Sequence, residues 1–319
     1  NELYLKYAST KLLIARREMM IIDMHTHTFP DAIAEKTLKK LSALSHTMPF
    51  TAGTAGALLA SMRETGVDCS VILPVATAPR QVSHINETSA RLNEEQGMYG
   101  LLSFGCIHPD CPDWKEELTR AAALGLKGIK IHPVYQGVDL DDPRYLRILE
   151  RAGELNLIVV THAGMDVGFP GQVRCSPAMA LRAVRQAGPV RLVLAHMGGW
   201  RNWDEVEELL SQAPVYLDTS FSTGEMTPLD DGYYTSEDLP LMGERQFVRM
   251  VRTFGAERIL FGTDSPWSGQ RESLTWIRDT ALSADELEAI LGANAQKLLG
   301  LTGGRGFPAI LGHPAETAG

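Results

Sequence analysis

Ile21-Ile22-Asp23-Met24-His25-Thr26-His27 is a β-rich run that ends in two histidines one residue apart. Seven more such runs follow, at 70–75, 101–107, 128–132, 157–162, 191–196, 215–218 and 258–264. Segments with helical spacing separate them. Ala57, Leu58, Met62 and Val67 follow Gly53 and Gly56; Tyr145, Leu146, Leu149 and Ala152 follow Pro143, a residue suited to a first helical turn. Glu205, Val206, Leu209 and Leu210 follow Asp204, read as an N-cap. The stretches 284–291 and 293–299 read as two closing helices. Strands alternating with helices predict βαβ units and a parallel sheet. Ile158-Val159-Val160 and Leu192-Val193-Leu194 are apolar without alternation, as a sheet buried on both faces requires. Eight repeats predict closure, so the fold class is α/β, a (β/α)8 TIM barrel in a single domain.

The chain has 319 residues, and the repeats occupy 21–301, the size of one barrel with modest insertions. Residues 1–20 carry Lys6, Lys11, Arg16 and Arg17 among apolar residues. They lack the long apolar core and small-residue cleavage site of a signal peptide, and read as an N-terminal extension outside the barrel, with the working protein starting at Met20. Glycine and proline at 303, 304, 306, 308, 312 and 314 predict a loose tail over 302–319. The net charge of −9 argues against nucleic acid as a partner. No apolar run approaches the ~20 residues of a membrane span. Cys69, Cys106, Cys111 and Cys175 form no CxxC pair and read as unpaired thiols in a reducing, cytoplasmic compartment.

The polar residues of these runs gather at one place. Besides His25 and His27, the runs end at His132, His162, His196, Asp218 and Asp264. Barrel active sites are built at the C-terminal ends of the strands. Period-2 alternation points His25 and His27 to the same side of their strand, where two imidazoles can share one metal ion. His162 and Asp264 complete a mixed nitrogen and oxygen set that suits Zn²⁺, and also Mn²⁺ or Fe²⁺. A bound divalent ion brings the pKa of water toward ~7, with Asp264 as the group to accept and return its proton, and His196 as base or oxyanion partner.

The His25/His27 pair resembles that of the amidohydrolase superfamily, as do Thr161-His162-Ala163-Gly164, Ala195-His196-Met197-Gly198-Gly199 and Gly262-Thr263-Asp264-Ser265-Pro266-Trp267. The narrower resemblance is to the amidohydrolase-related branch that includes aminocarboxymuconate-semialdehyde decarboxylase. Gly128-Ile129-Lys130-Ile131-His132-Pro133 and Gly292-Ala293-Asn294-Ala295-Gln296-Lys297 also fit that branch. The resemblance spans 21–301. It implies one divalent metal held by His25, His27, His162 and Asp264, with His196 acting on substrate or water. Binuclear members carry a carboxylated lysine at the end of strand 4. Lys130 stands near that place and reads as a structural or supporting charge, with a bridging carbamate as the alternative.

Neighbouring residues are candidates for substrate contacts, with a supporting role for the histidine, loop packing for the tryptophan and a solvated arginine as the alternatives. His132 is placed to orient substrate, Trp267 to wall the pocket, and Arg201 to pair with a carboxylate. Asp218 reads as a hydrogen-bonding group across the barrel mouth. The long loop 223–241 is expected to shape substrate choice. The leading expectation is a hydrolase of a small-molecule amide, ester or lactone, with a non-oxidative carboxy-lyase on the same residues as runner-up. A barrel-type deoxyribonuclease and a non-catalytic binding protein rank below these. A homodimer is allowed, but no sequence feature demands one.

Overall fold

In the computed structural model, which describes residues 20–301, strand β1 (Ile22–Thr26) is buried at every position. The expected extension before Met20 and the tail at 302–319 lie outside the described residues. From β1 the chain passes through α1 (Asp31–Ser45) and α2 (Ala55–Thr65) to β2 (Cys69–Ile72), then α3 (Val82–Gln96), β3 (Leu101–Ser103) and β4 (Gly105–Cys106). Next come α4 (Trp114–Ala123), β5 (Gly128–Ile131), α5 (Pro133–Gln136), α6 (Pro143–Glu154), β6 (Ile158–Thr161), α7 (Pro177–Ala187), β7 (Arg191–Leu194), α8 (Trp203–Leu210) and β8 (Val215–Asp218). The last units are α9 (Glu244–Phe254), β9 (Ile259–Leu260), α10 (Gln270–Arg278), α11 (Ala284–Glu288) and α12 (Asn294–Leu299). None of the described helices is long and apolar enough to cross a membrane.

Every strand pair is parallel, in the orders β1-β2-β3 and β4 to β9. Two seams join these sheets into one α/β barrel. The run expected at 101–107 is a single stave broken at Phe104, whose N–H still reaches Ile72 O at 2.9 Å while Gly105 pairs with Ile129. At the other seam the run expected at 258–264 leaves regular pairing after Leu260, yet Met24 N donates to Phe261 O and Asp264 N to His25 O, both at 2.8 Å. Asp23 clamps this seam. Its buried carboxylate accepts from Thr263 N (3.0 Å), Thr263 Oγ1 (2.7 Å) and Gln270 Nε2 (2.9 Å), while burial pushes the carboxyl up to about 7.

Helix boundaries follow local chemistry, with two departures from the sequence reading. Thr54 Oγ1 caps α2 through Ala57 N, and Asp142 caps α6 just before Pro143. Asp204 is not the cap of α8, because the helix already starts at Trp203 and Asp204 lies in its first turn, where a carboxylate suits the helix dipole. The two closing helices are joined by a π-helical stretch, Ala289–Ala293. Gly292 there meets the backbone of Met20 so closely that a Cβ would lie 1.7 Å from its carbonyl oxygen. Wide helical turns of this kind accommodate such an approach. The four cysteines are buried and unpaired.

Candidate metal centre and active site

The site is wired from a serine outward. Ser220, just past β8, spends its hydroxyl proton on Asp218 Oδ1, so its oxygen accepts from His25 Nδ1 (3.0 Å) and His196 Nδ1 (3.1 Å). His25 Nδ1 also donates to Asp218 Oδ2 at 2.9 Å. Each imidazole carries one donor and one acceptor nitrogen when neutral, so His25 presents a bare Nε2 to the barrel mouth. Lys130 Nζ lies 3.1 Å from that nitrogen and Asp264 Oδ1 3.6 Å. His27 is oriented in the same way: its Nδ1 donates to Leu73 O at 2.8 Å, leaving Nε2 3.0 Å from Asp264 Oδ1.

The His25, His27 and Asp264 ligand atoms lie within 4.8 Å of one another. Burial, reinforced by the Lys130 charge, lowers His25 to about 4. Burial alone would raise the Asp264 carboxyl, but His25, the His27 hydrogen bond and His196 together hold it well below the carboxylate range. Nitrogen lone pairs thus converge on an ionised carboxylate, an arrangement that takes a cation between its members. The donor set, two imidazoles and a carboxylate with their outer nitrogens anchored, fits a divalent ion. Burial also pulls Lys130 down to about 8, against the charges of Asp218 and Asp264.

A second cluster stands beside the first. His132 follows β5, His162 follows β6, and Asp166 lies four residues beyond His162. The two rings stack with centroids 4.3 Å apart. His196 Nδ1 donates to Ser220 O at 3.1 Å, so its Nε2 accepts from His162 Nδ1 at 3.0 Å. That leaves His162 Nε2 bare, buried and without a hydrogen-bond partner. Asp166 Oδ1 accepts from Gly168 N at 2.8 Å, and Oδ2 lies 3.6 Å from His132 Nε2 and 3.8 Å from His162 Nε2. Burial drives both histidines well below 6.5 and lifts Asp166 to about 6.

One cavity of about 260 Å³ is lined by His25, His27, His132, His162, His196 and Asp264 together with Trp267. The expected metal set, His25, His27, His162 and Asp264, is therefore gathered at one cavity. His25, His27 and Asp264 form one group, while His162 belongs with His132 and Asp166. His196 stands between them, its ring 5.4 Å from that of His25 and 4.8 Å from that of His162. Arg201 is not in the cavity lining; its guanidinium lies over the Trp200 ring at 5.4 Å on the exposed side. The loop at 223–241 does not line the cavity either. It straps the elements that do: Met48 N donates to Thr227 O (2.9 Å), Leu229 N to His46 O (2.8 Å) and Tyr234 OH to Val167 O (3.0 Å).

His196 and Asp264 hold their side chains on left-handed backbone, φ 62° and 69°. Non-glycine residues adopt that conformation only where surrounding contacts impose it, and it clusters at functional sites. The glycine at 164 serves the same end, since a Cβ there would meet Trp200 N at 2.3 Å. It lets the loop after His162 pack on the loop after His196. Sequence reasoning missed Asp166 and Ser220. Neither ends a strand, although Asp166 follows His162 at a spacing that a search for carboxylates near the ligands would have found.

A parallel eight-stave barrel with histidines and a carboxylate converging at its C-terminal mouth defines a class of metal-site barrel enzymes. The profile of the amidohydrolase family matches residues 22–301, and the chain belongs to that family, as an enzyme of the amidohydrolase superfamily. A comparison with curated proteins finds no match. Solved structures share the fold at low identity. A 5-carboxyvanillate decarboxylase from Sphingomonas paucimobilis is similar at 17% identity and TM-score 0.61, over 89% of this chain and 100% of that one. A putative 2-pyrone-4,6-dicarboxylic acid hydrolase from Pseudomonas putida gives 20% and 0.57, over 88% and 98%. A dihydroxybenzoic acid decarboxylase from Polaromonas, solved with manganese and an inhibitor, gives 16% and 0.60, over 88% and 96%.

Proposed function

We propose that this chain is a metal-dependent hydrolase that cleaves a small-molecule amide, ester or lactone. The observation that carries this reading is the composition of the cavity wall. Among the described residues no arginine lines it, and the one lysine that does, Lys130, is turned to His25 Nε2. A substrate bearing carboxylates away from the reacting bond would find no bidentate partner there. The remaining wall is largely apolar, with Phe29, Leu73, Phe221 and Trp267 among its members.

We assign the ion to His25, His27, His162 and Asp264, which line one cavity, with Zn²⁺ first and Mn²⁺ or Fe²⁺ as alternatives by donor type. When bound, such an ion supplies a water of pKa near ~7 and polarises a carbonyl. Asp264, held ionised, is the group that takes the water's proton and returns it to the leaving group. His196 keeps Nε2 unprotonated because Nδ1 is committed to Ser220 O; that nitrogen accepts from His162 Nδ1 at 3.0 Å, so His196 takes the base role only once the His162 ring turns away, and it has no N–H there for oxyanion donation. His132 and Trp267 face the substrate, while Arg201 does not.

The decarboxylases among the similar folds support a second reading, loss of CO₂ from an unsaturated acid on the same residues. A panel of aryl esters, lactones and anilides beside a panel of aromatic acids separates the two. Turnover of the first panel without CO₂ release from the second is the expected result. CO₂ release with no hydrolysis would replace the hydrolase reading with the lyase.

A further inference from the structure

Helix α1 lines the cavity but stands outside the barrel repeat. The repeat needs one helix between β1 and β2, and α2 fills that place: its Leu58 and Met62 join the barrel core. The buried residues of α1, Ala34, Leu38 and Ser42, do not. Leu38 packs instead on Gly53, where a Cβ would lie 3.1 Å from both of its δ-methyls. Phe29 N donates to Gly53 O at 2.8 Å, so the excursion that carries α1 leaves and returns at one neck. At the far end the helix stops at His46, whose carbonyl accepts from Leu229 N at 2.8 Å.

The face of α1 turned to the cavity is Thr37, Leu41 and Ser45, spaced four residues apart and so in one row along the helix. Ser45 Oγ and Thr47 Oγ1 hydrogen-bond to each other at 2.7 Å, which engages the hydroxyls at that end. Leu41 stands in the middle of the row, and Leu73, Val75 and Phe221 make other parts of the same wall apolar. A side chain that lines a cavity without joining the core can change size at little cost to the fold. One methylene more or less in such a pocket changes discrimination by about 10–200-fold. The loop at 223–241, expected from sequence to shape substrate choice, holds the far end of α1 and does not line the cavity.

We propose that the Thr37–Leu41–Ser45 face of α1 is the specificity wall of the enzyme, with Leu41 setting how long an apolar group the substrate carries beyond its reacting end. The proposal rests on the reading of this cavity as the active site and holds for hydrolysis and decarboxylation alike. The barrel staves then supply the chemistry, and a helix added to the barrel supplies the choice of substrate.

Calorimetry on the metal-loaded protein with straight-chain alkylhydroxamates tests the wall without turnover, because the hydroxamate head binds a divalent ion and the tail is left to meet the wall. In Leu41→Ala the ratio of octanohydroxamate to acetohydroxamate affinity is expected to rise at least about tenfold over that of the natural chain. In Leu41→Phe it is expected to fall. Ile33→Ala changes an exposed position of the same helix outside the cavity lining, and is expected to hold the ratio within about twofold. An unchanged ratio in either Leu41 variant that folds would overturn the proposal, as would an equal shift in Ile33→Ala. Failure of every hydroxamate to bind would overturn it too, since the wall would then face no ligand anchored at the ion. A ratio that follows Leu41 without hydrolysis of any ester would leave the wall standing and defeat the hydrolase reading alone.

Discussion

The two clusters at the barrel mouth contain the same residue types, two histidines and one aspartate, yet they are anchored differently. In His25–His27–Asp264 each ring has its Nδ1 tied to something immovable, Asp218 and Ser220 for His25 and the Leu73 carbonyl for His27. Those anchors come from other staves of the barrel, so both Nε2 atoms are aimed at Asp264. In His132–His162–Asp166 the anchors are local backbone groups, Tyr135 N and Gly168 N, and His162 is tied to another imidazole. The rings then present one N–H and one bare nitrogen to the same carboxylate. Outer hydrogen bonds thus set which ring nitrogens reach the cavity bare: both Nε2 atoms in the first cluster, and His162 Nε2 in the second.

Removing both anchored rings is the largest way to break that contrast. His25→Ala with His27→Ala is expected to leave the protein without its metal and without turnover, as read by elemental analysis of the purified chain. Equal metal content in the variant and the natural chain would show that the ion sits elsewhere. Next in size is Asp264→Asn, which retains shape but loses the ionised carboxylate. A fall of roughly 10³-fold in kcat with an unchanged circular dichroism spectrum is expected for loss of a general base. Full activity would remove Asp264 from the mechanism. His196→Ala is expected to lower kcat while metal is retained, because His196 lies between the clusters and ligates neither. Loss of metal in that variant would make it a ligand.

The barrel itself was legible because buried parallel staves are continuous apolar runs and each is punctuated by an amphipathic helix. What the runs concealed was where pairing stops. Phe104 turns between two partners in the middle of one run, and the backbone near Asp264 becomes left-handed, so strand-like composition continues past the last regular pair. At the site, strand-end position identified His25, His27, His132, His162, His196 and Asp264, since chemistry at a barrel mouth uses those ends. It could not divide them into two groups, because the division depends on which ring nitrogen is anchored. Asp166 and Ser220 act from loops, where no periodicity marks a residue. Arg201 looked suited to substrate by its distance from His196 in sequence, but five residues of tight turn carry it outward onto Trp200.

A smaller effect sharpens the comparison from the anchor side. Asp218 does not line the cavity of the histidines; it fixes His25 Nδ1 at 2.9 Å and receives His196 N at 3.2 Å. Burial works against its charge, but His25, His196 and the Ser220 hydroxyl hold the carboxyl at about 2. Asp218→Asn leaves a side chain that can still bridge, with the freedom to turn its amide toward His25 and reverse that ring's tautomer. Metal affinity is expected to fall about 10–100-fold, the usual scale for outer partners of ligating histidines, as read by competition with a chelator. An unchanged affinity would mean that the Ser220 oxygen alone orients His25.

The smallest expected effect concerns the strap over both clusters. The Tyr233 ring stacks on His46 at 3.8 Å, and His46 Nδ1 pairs with Asp231 at 2.7 Å. These groups lie outside the cavity lining and are at least partly exposed, so their contacts are screened and individually weak. If the strap chose substrates directly, Tyr233→Ala would alter the ratio of kcat/KM between short and long esters. The strap instead acts on Thr47 and Met48 through its backbone and on Val167 through the Tyr234 hydroxyl, contacts that the substitution leaves in place. Tyr233→Ala is therefore expected to hold that ratio within about twofold and to change stability by roughly 0.5 kcal/mol or less. A larger change in the ratio would return the loop to the role of a specificity element and weaken the case that α1 selects the substrate.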